Sequence, residues 1–276
     1  MSQGIPLKAG LEAFPGCRLR QFLGRGGFAE VWEAEVDGGG KLALKFMPAE
    51  NGRAAFSEIR SIQMVKQLEH PNLVRIERVW AFQNYNVIAM ELAEGGLDDL
   101  YEAYQTVFST PIVPEVLCPY LSQAADALDF LNARKHLVDG RLVGIQHCDI
   151  KPSNMLLFGD TVKLSDFGLA SITTMRMASH RRAGTAAFAP PEVFQGRLSD
   201  RTDQYSLAVS YCFLRGGRLP FPAPPGFDRA YVRPKPDLQM ISAREWPTML
   251  RALDPVPQNR WPTCREFMAQ LTATMN

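Results

Sequence analysis

No apolar run in the 276 residues reaches the ~18 to 20 that a membrane-spanning helix needs, so no membrane span is expected within this chain. The first residues lack a basic stretch leading into an apolar one, and no secretory leader is expected. Charge of one sign is missing as well. Lys and Arg number 30 against 29 Asp and Glu, a net charge of +1, which gives no bulk attraction to nucleic acid or to an anionic membrane. Short basic spots such as Arg181-Arg182 read as solvated surface. Cysteine is sparse: Cys17, Cys118, Cys148, Cys212 and Cys264 are scattered, odd in number and without a Cys-x-x-Cys. That pattern suits reduced thiols and a cytoplasmic location better than a disulfide framework or a zinc site. The four histidines are too far apart in sequence to suggest a metal cluster. Internal repeats are absent.

What remains is an ordinary globular composition, 46% hydrophobic and 21% charged, long enough for one large domain or two lobes with a real core. Its densest chemistry is the run His147-Cys148-Asp149-Ile150-Lys151-Pro152-Ser153-Asn154. Asp149 is a candidate general base, and Lys151 offers a fixed positive charge beside it. Asn154 offers a neutral oxygen to a divalent cation. Pro152 bars regular helix and biases Lys151 to an extended backbone, so the run reads as a rigid loop. A second acid follows in Leu164-Ser165-Asp166-Phe167-Gly168. Between them, Met155–Phe158, Gly159-Asp160 and Thr161–Leu164 read as a hairpin that brings Asn154 and Asp166 back together around one metal. Taken singly, Asp-Phe-Gly is common turn chemistry.

Earlier in the chain, alternating flanks enclose Gly24-Arg25-Gly26-Gly27-Phe28-Ala29, a tight turn whose backbone N–H groups can approach phosphate oxygens. A plain β-turn is the bland alternative. Asp37-Gly38-Gly39-Gly40 is a turn signal, and Lys41–Phe46 a strand. Residues 1 to about 15 lack a period and read as a loose lead-in. From Arg53 to Glu69 apolar residues recur mostly three apart, a helix that carries Glu58. Strands are expected over about 73–82 and 86–92, then helices over 97–106, 114–134, 203–213, 242–252 and 263–273. A small turn is expected within 135–146. Leu169–Pro191, with Ser171, Thr173, Thr174 and Ser179, reads as a mobile loop, and 220–236 as proline-rich and irregular.

In this order the motifs resemble those of eukaryotic-like serine/threonine protein kinases. The resemblance runs from about Cys17 to Leu271. It implies an α+β, two-lobed fold in one kinase domain spanning 1–276: a small β-rich N-lobe with one main helix (about 17–92), a hinge (about 91–96) and a larger, mostly helical C-lobe (about 97–273). ATP would lie between the lobes. Leu23, Gly24, Arg25, Gly26, Gly27, Phe28, Ala29 and Val31 would form the glycine-rich loop over the nucleotide. Ala29 stands where the family has a third glycine, which implies a stiffer loop. Ala43 would line the pocket, and Lys45, oriented by Glu58, would hold the α and β phosphates. Met90, Glu91 and Ala93 would border the adenine, with Leu156 beneath it. Asn154 and Asp166 would bind Mg²⁺, with Mn²⁺ as the alternative.

By the same resemblance Asp149 is the catalytic base, Lys151 neutralises the transferring phosphoryl group, and Thr185 touches both. Lys151 and Thr185 favour serine and threonine over tyrosine as acceptors, so the partners would be protein substrates with those hydroxyls. Gly184–Glu192 would form the floor on which a peptide docks, although Pro190-Pro191-Glu192 departs from the family's Ala-Pro-Glu and Phe188 from its tyrosine. Asp203 would cap the catalytic loop, and Arg260 would pair with Glu192. Cys148 replaces the arginine of the family's His-Arg-Asp, a non-RD pattern that together with the short stretch from glycine loop to hinge and Pro190-Pro191-Glu192 resembles bacterial members. Two rivals stay open: an inactive pseudokinase acting as a binding module, and a small-molecule phosphotransferase of kinase-like fold. The oligomeric state is left open by the sequence.

Overall fold

The computed structural model describes residues 6–26, 29–49, 62–138, 140–172 and 185–275. The chain divides into two compact units, Met1–Arg60 with Val74–Ala93 and Ser61–Leu73 with Glu94–Asn276. Gly27, Phe28 and Glu58 lie outside the described residues, as do Thr173, Thr174, Ser179 and the arginines 176, 181 and 182.

In the first unit the described strands are β1 (Glu12–Phe14), β2 (Cys17–Gly26), β3 (Ala29–Val36), β4 (Gly40–Pro48), β5 (Ile76–Phe82) and β6 (Tyr85–Glu91). They form one antiparallel sheet in the order β1-β2-β3-β4-β6-β5. The β3–β4 turn depends on Gly38 and Gly39, whose φ angles of 97° and 87° suit glycine and strain other residues. Alternation then sorts the side chains. Trp32, Ala34, Leu44, Phe46, Val87 and Ala89 are buried together on one face. Cross-strand register gives Gly24↔Val31↔Lys45↔Ile88 and Ala43↔Met90 the opposite face. The lead-in is not loose throughout. Glu12–Phe14 pairs with β2, and Phe14 packs edge-on against Trp80 at 5.3 Å.

The second unit contains β7 (Gly95–Gly96), β8 (His136–Val138), β9 (Arg141–Val143), β10 (Ile145–Gln146), β11 (Met155–Phe158), β12 (Thr161–Leu164) and β13 (Ser171–Ile172). Its helices are α1 (Leu97–Ala103), α2 (Pro114–Asn132), α3 (Pro191–Phe194), α4 (Thr202–Gly216), α5 (Trp246–Ala252) and α6 (Cys264–Ala273). Pro114 opens α2, where its missing N–H costs nothing. Leu117, Leu121, Ala124, Leu128 and Leu131 then bury one stripe at helical spacing. Nearly all of α4 is buried, and it ends at Gly217 with φ of 68°. Residues 62–66, the described part of the helix expected from Arg53, are helical.

Two further expectations are corrected. The strand expected from 73 begins at Ile76, and Leu73 instead forms an isolated bridge to Leu164. The helix after Leu97 widens into a π-turn over Tyr104–Phe108. The turn expected at Val138–Arg141 is borne out, with Val138 and Arg141 paired at the end of the β8–β9 hairpin, which also holds Leu137 and Leu142 as exposed cross-strand partners. Among the described residues no helix is long and apolar enough to cross a membrane. Cys17, Cys118, Cys212 and Cys264 are buried thiols; burial pushes Cys17 up to about 11 and Cys118 to about 12, so neither is a reactive thiolate.

Candidate active site

The site of the second unit is built from the first turn of α4 outward. The fully buried Asp203 accepts the backbone N–H of His147 on Oδ2 at 2.6 Å and that of Cys148 on Oδ1 at 2.9 Å. Burial pushes its carboxyl above the usual range, opposed by His147 and by these two N–H groups. Cys148 has φ of 70°, a conformation that costs a non-glycine residue about 1–3 kcal/mol, and the bond to Asp203 offsets that cost. His147 Nδ1 accepts the Asp149 N–H at 3.3 Å, which leaves the ring proton on Nε2 to donate to the Ser165 carbonyl at 2.8 Å. One imidazole thus ties the loop to the segment that follows β12.

Pro152–Asn154 forms a single 3₁₀ turn. It aims Asn154 back at Asp149, with Nδ2 donating to the Asp149 carbonyl at 2.7 Å and to Oδ2 at 3.0 Å. The β11–β12 hairpin has the register expected, from Met155↔Leu164 to Phe158↔Thr161. At its open end the Ser165 N–H donates to the Asn154 carbonyl at 2.9 Å, so Asn154 faces Ser165 and Asp166 follows directly. Asp166 is exposed and holds φ of 63° and ψ of 61°. With the amide nitrogen of Asn154 committed to Asp149, its side-chain carbonyl is the end left for a ligand. An amide oxygen and a carboxylate at one hairpin mouth fit a hard divalent cation.

Asp149 is held from three sides. Lys151 Nζ reaches Oδ2 at 2.9 Å, the Thr185 N–H donates to Oδ1 at 3.0 Å, and Asn154 supplies the third contact. Lys151 Nζ also donates to Thr185 Oγ1 at 2.9 Å. The carboxylate is 10% exposed, desolvated enough to strengthen these charge-assisted bonds yet open to one further ligand. Leu156, half-buried, pairs with Gly96.

Near α3, Arg260 and Glu192 form a two-pronged pair, with Nη1–Oε1 and Nη2–Oε2 both at 2.8 Å. Their side chains are 0% and 8% exposed. Thr202 and Ser199 hydroxyls also donate to Glu192, so the buried carboxylate is well satisfied. Ser171, expected in a mobile loop, is instead buried in β13, which pairs with β10 through Gln146↔Ser171. In the first unit Leu23 is exposed, Ala43 buried, and Lys45, Val31, Met90, Glu91 and Ala93 are half-buried. Gly24 is bracketed by a register shift of β2 between Phe22 and Gly24, and Arg25↔Glu30 and Gly26↔Ala29 close the pairing toward the turn.

The sequence reading missed Arg233, whose contacts are described below, and gave His147 no role. Nothing in the pattern marks Arg233: it lies in a proline-rich run without period, and its environment is assembled from distant segments.

Within the second unit, an aspartate loop is thus stapled to a hairpin that carries an amide oxygen and a carboxylate at its mouth. The family described as the protein kinase domain matches residues 17–275, and the chain belongs to it. Its fold is the protein kinase fold. The chain is similar to CBL-interacting protein kinase 4 of Oryza sativa subsp. japonica, 35% identical over 214 residues covering 74% of this chain and 45% of the relative. CBL-interacting serine/threonine-protein kinase 15 of Arabidopsis thaliana is 31% identical over 211 residues, covering 73% and 47%. The chain spans about half the length of these curated relatives. Among solved structures, the PknI kinase domain of Mycobacterium tuberculosis superposes with a TM-score of 0.73 at 25% identity, covering 98% of this chain and 100% of that one. The family uses ATP with a divalent metal, and the Arabidopsis relative is by name a serine/threonine-protein kinase.

Proposed function

We propose that the chain is a single serine/threonine protein kinase domain, with its hinge over about 91–96, that transfers the γ-phosphate of ATP to protein hydroxyls in a Mg²⁺-dependent reaction. The observation that carries this reading is the grip of Lys151, Asn154 and Thr185 on Asp149. Asp149 orients the acceptor hydroxyl and takes its proton. Lys151, already beside the carboxylate, neutralises charge on the transferring phosphoryl oxygens. Asn154 and Asp166 hold Mg²⁺, which when bound offsets phosphate charge; Mn²⁺ has the same ligand preference. Lys45, oriented by Glu58, positions the α and β phosphates. Val31, Ala43 and Met90 share its sheet face, and a Cβ at Gly24 would meet no atom of the described residues within 4 Å, so their packing does not demand glycine there. Leu23 and Gly24–Ala29 cover the nucleotide, while Glu91, Ala93 and Leu156 border the adenine. Little covalent chemistry falls to the protein; positioning and electrostatics lower the barrier. The substrates are proteins, and the setting is cytoplasmic.

The test is mass-spectrometric mapping of phosphosites after incubation with Mg·ATP. Phosphoserine and phosphothreonine are expected. Nucleotide binding without any transfer would favour the inactive module. The Asp166→Asn variant should weaken Mg·ATP binding together with turnover, because it removes a charged metal ligand. Titration of Mg·ATP reads both effects, and unchanged affinity would remove Asp166 from the metal site.

Cys148 cannot supply the guanidinium that, in arginine-bearing relatives, pairs with a phosphate on the following segment. Its thiol packs against the cluster of Ala189, Val193 and Phe194. Activity is therefore expected to survive replacement of Ser171, Thr173, Thr174 and Ser179 by alanine, and phosphatase treatment of the unaltered protein. Collapse under both, with recovery on rephosphorylation, would contradict this.

A further inference from the structure

After Thr185 the chain turns over 186–189, with the Phe188 N–H donating to the Thr185 carbonyl at 2.9 Å. Turns of this kind expose carbonyls that need donors. Here the Ala186 carbonyl takes the Ala189 N–H at 3.3 Å, and one side chain from 44 to 47 residues away donates to it and to the carbonyls of Ala187 and Ala189. Arg233 Nη2 lies 2.7 Å from the Ala186 carbonyl, 3.0 Å from that of Ala187 and 2.7 Å from that of Ala189, and Nε reaches Ala189 at 3.1 Å. The neighbouring residues 232, 234 and 235 are exposed while Arg233 turns inward.

Aromatic rings hold the guanidinium in place. Its carbon lies 4.8 Å from the Phe221 centroid, 5.3 Å from Phe194 and 5.9 Å from Tyr205. Such contacts keep a cation oriented after water is removed. Tyr205 also lies 4.9 Å from the Arg260 guanidinium, so one ring links this cation to the Glu192–Arg260 pair. Nε and Nη2 grip the Ala189 carbonyl together, and Nη2 also meets those of Ala186 and Ala187; an ammonium has no second nitrogen for the paired contact on Ala189. Burial lowers the pKa of Arg233, opposed by Tyr205 and Tyr231, though an arginine remains charged at neutral pH.

We infer that Arg233 is a positioning residue for the protein substrate: it fixes the carbonyl turn 186–189 as a docking floor without needing a phosphate. Thr185, which touches both Asp149 and Lys151, is the residue immediately before that turn. A floor held in place keeps an arriving hydroxyl in register with Asp149. A purely structural plug would instead support the helical unit as a whole. The inference rests on the kinase reading, and its consequence is confined to the substrate side of the reaction.

The experiment compares Arg233→Met and Arg233→Lys with the unaltered chain, using casein as protein substrate. KM for casein should rise about tenfold or more in Arg233→Met, the size of one lost charge-assisted hydrogen bond. The rise should be smaller in Arg233→Lys. KM for ATP should stay within about threefold, a small effect on this scale. Amide hydrogen exchange should quicken over 185–190 and not over 202–216. Where Arg233→Met does not fold, Arg233→Lys carries the test, with the same split at smaller size. Variants that match the unaltered protein in casein KM and in exchange would overturn the inference. So would variants in which ATP KM, casein KM and melting temperature all worsen together. An unaltered protein that labels no casein is a different failure, that of the kinase reading itself.

Discussion

Asp149→Asn should lower the turnover number by about 10² to 10⁴-fold, the usual worth of a positioned general base, with KM for ATP nearly unchanged. The geometry explains the split. Asp149 interacts with Lys151, Asn154 and Thr185, all within the helical unit, whereas the lysine assigned to the α and β phosphates is on β4. An amide in place of the carboxylate keeps the size and can still accept one hydrogen bond. It loses the charge that holds Lys151 and the basicity that takes a hydroxyl proton. Turnover read against ATP titration checks this. Retention of near-normal turnover would remove Asp149 from the role of base, and loss of ATP affinity in parallel with turnover would make it a binding residue.

The second large effect concerns stability. Arg260→Met should destabilise the helical unit by about 3–5 kcal/mol, because it strands a buried carboxylate. Glu192 would keep the hydroxyls of Ser199 and Thr202 but lose both guanidinium bonds. Arg260 also donates to the carbonyls of Asp254 and Arg201, so the loss extends beyond one ion pair. Replacing both partners by methionine should cost less than Arg260→Met alone, since no unpaired charge then remains. Urea unfolding of the single and double variants measures this. A double variant less stable than Arg260→Met would mean that the pair contributes net attraction well beyond its desolvation.

The sequence made legible those parts of the site whose determinants are local. The β11–β12 hairpin follows from alternating residues around Gly159, which takes φ of 58° in the turn. Pro152 announced the short irregular turn that swings Asn154 toward Asp149. Glu192 and Arg260, 68 residues apart, were legible only through family resemblance, as was the capping role of Asp203. Structure that depends on distant partners was not legible. Three residues of β1 are too few to show a period, and β13 exists because Ser171 meets Gln146 across the catalytic loop. Arg233 follows the same logic: its surroundings are set by α3, α4 and the turn at 186–189, none of them adjacent in sequence.

Phosphoryl transfer to serine or threonine is proposed for a site centred on Asp149. Its most direct measurement is transfer of labelled γ-phosphate from Mg·ATP to casein by the unaltered chain, followed by phosphoamino-acid analysis. Label is expected on serine and threonine, abolished when the divalent cation is chelated. Label on tyrosine alone, or none at all despite bound nucleotide, would contradict the proposal.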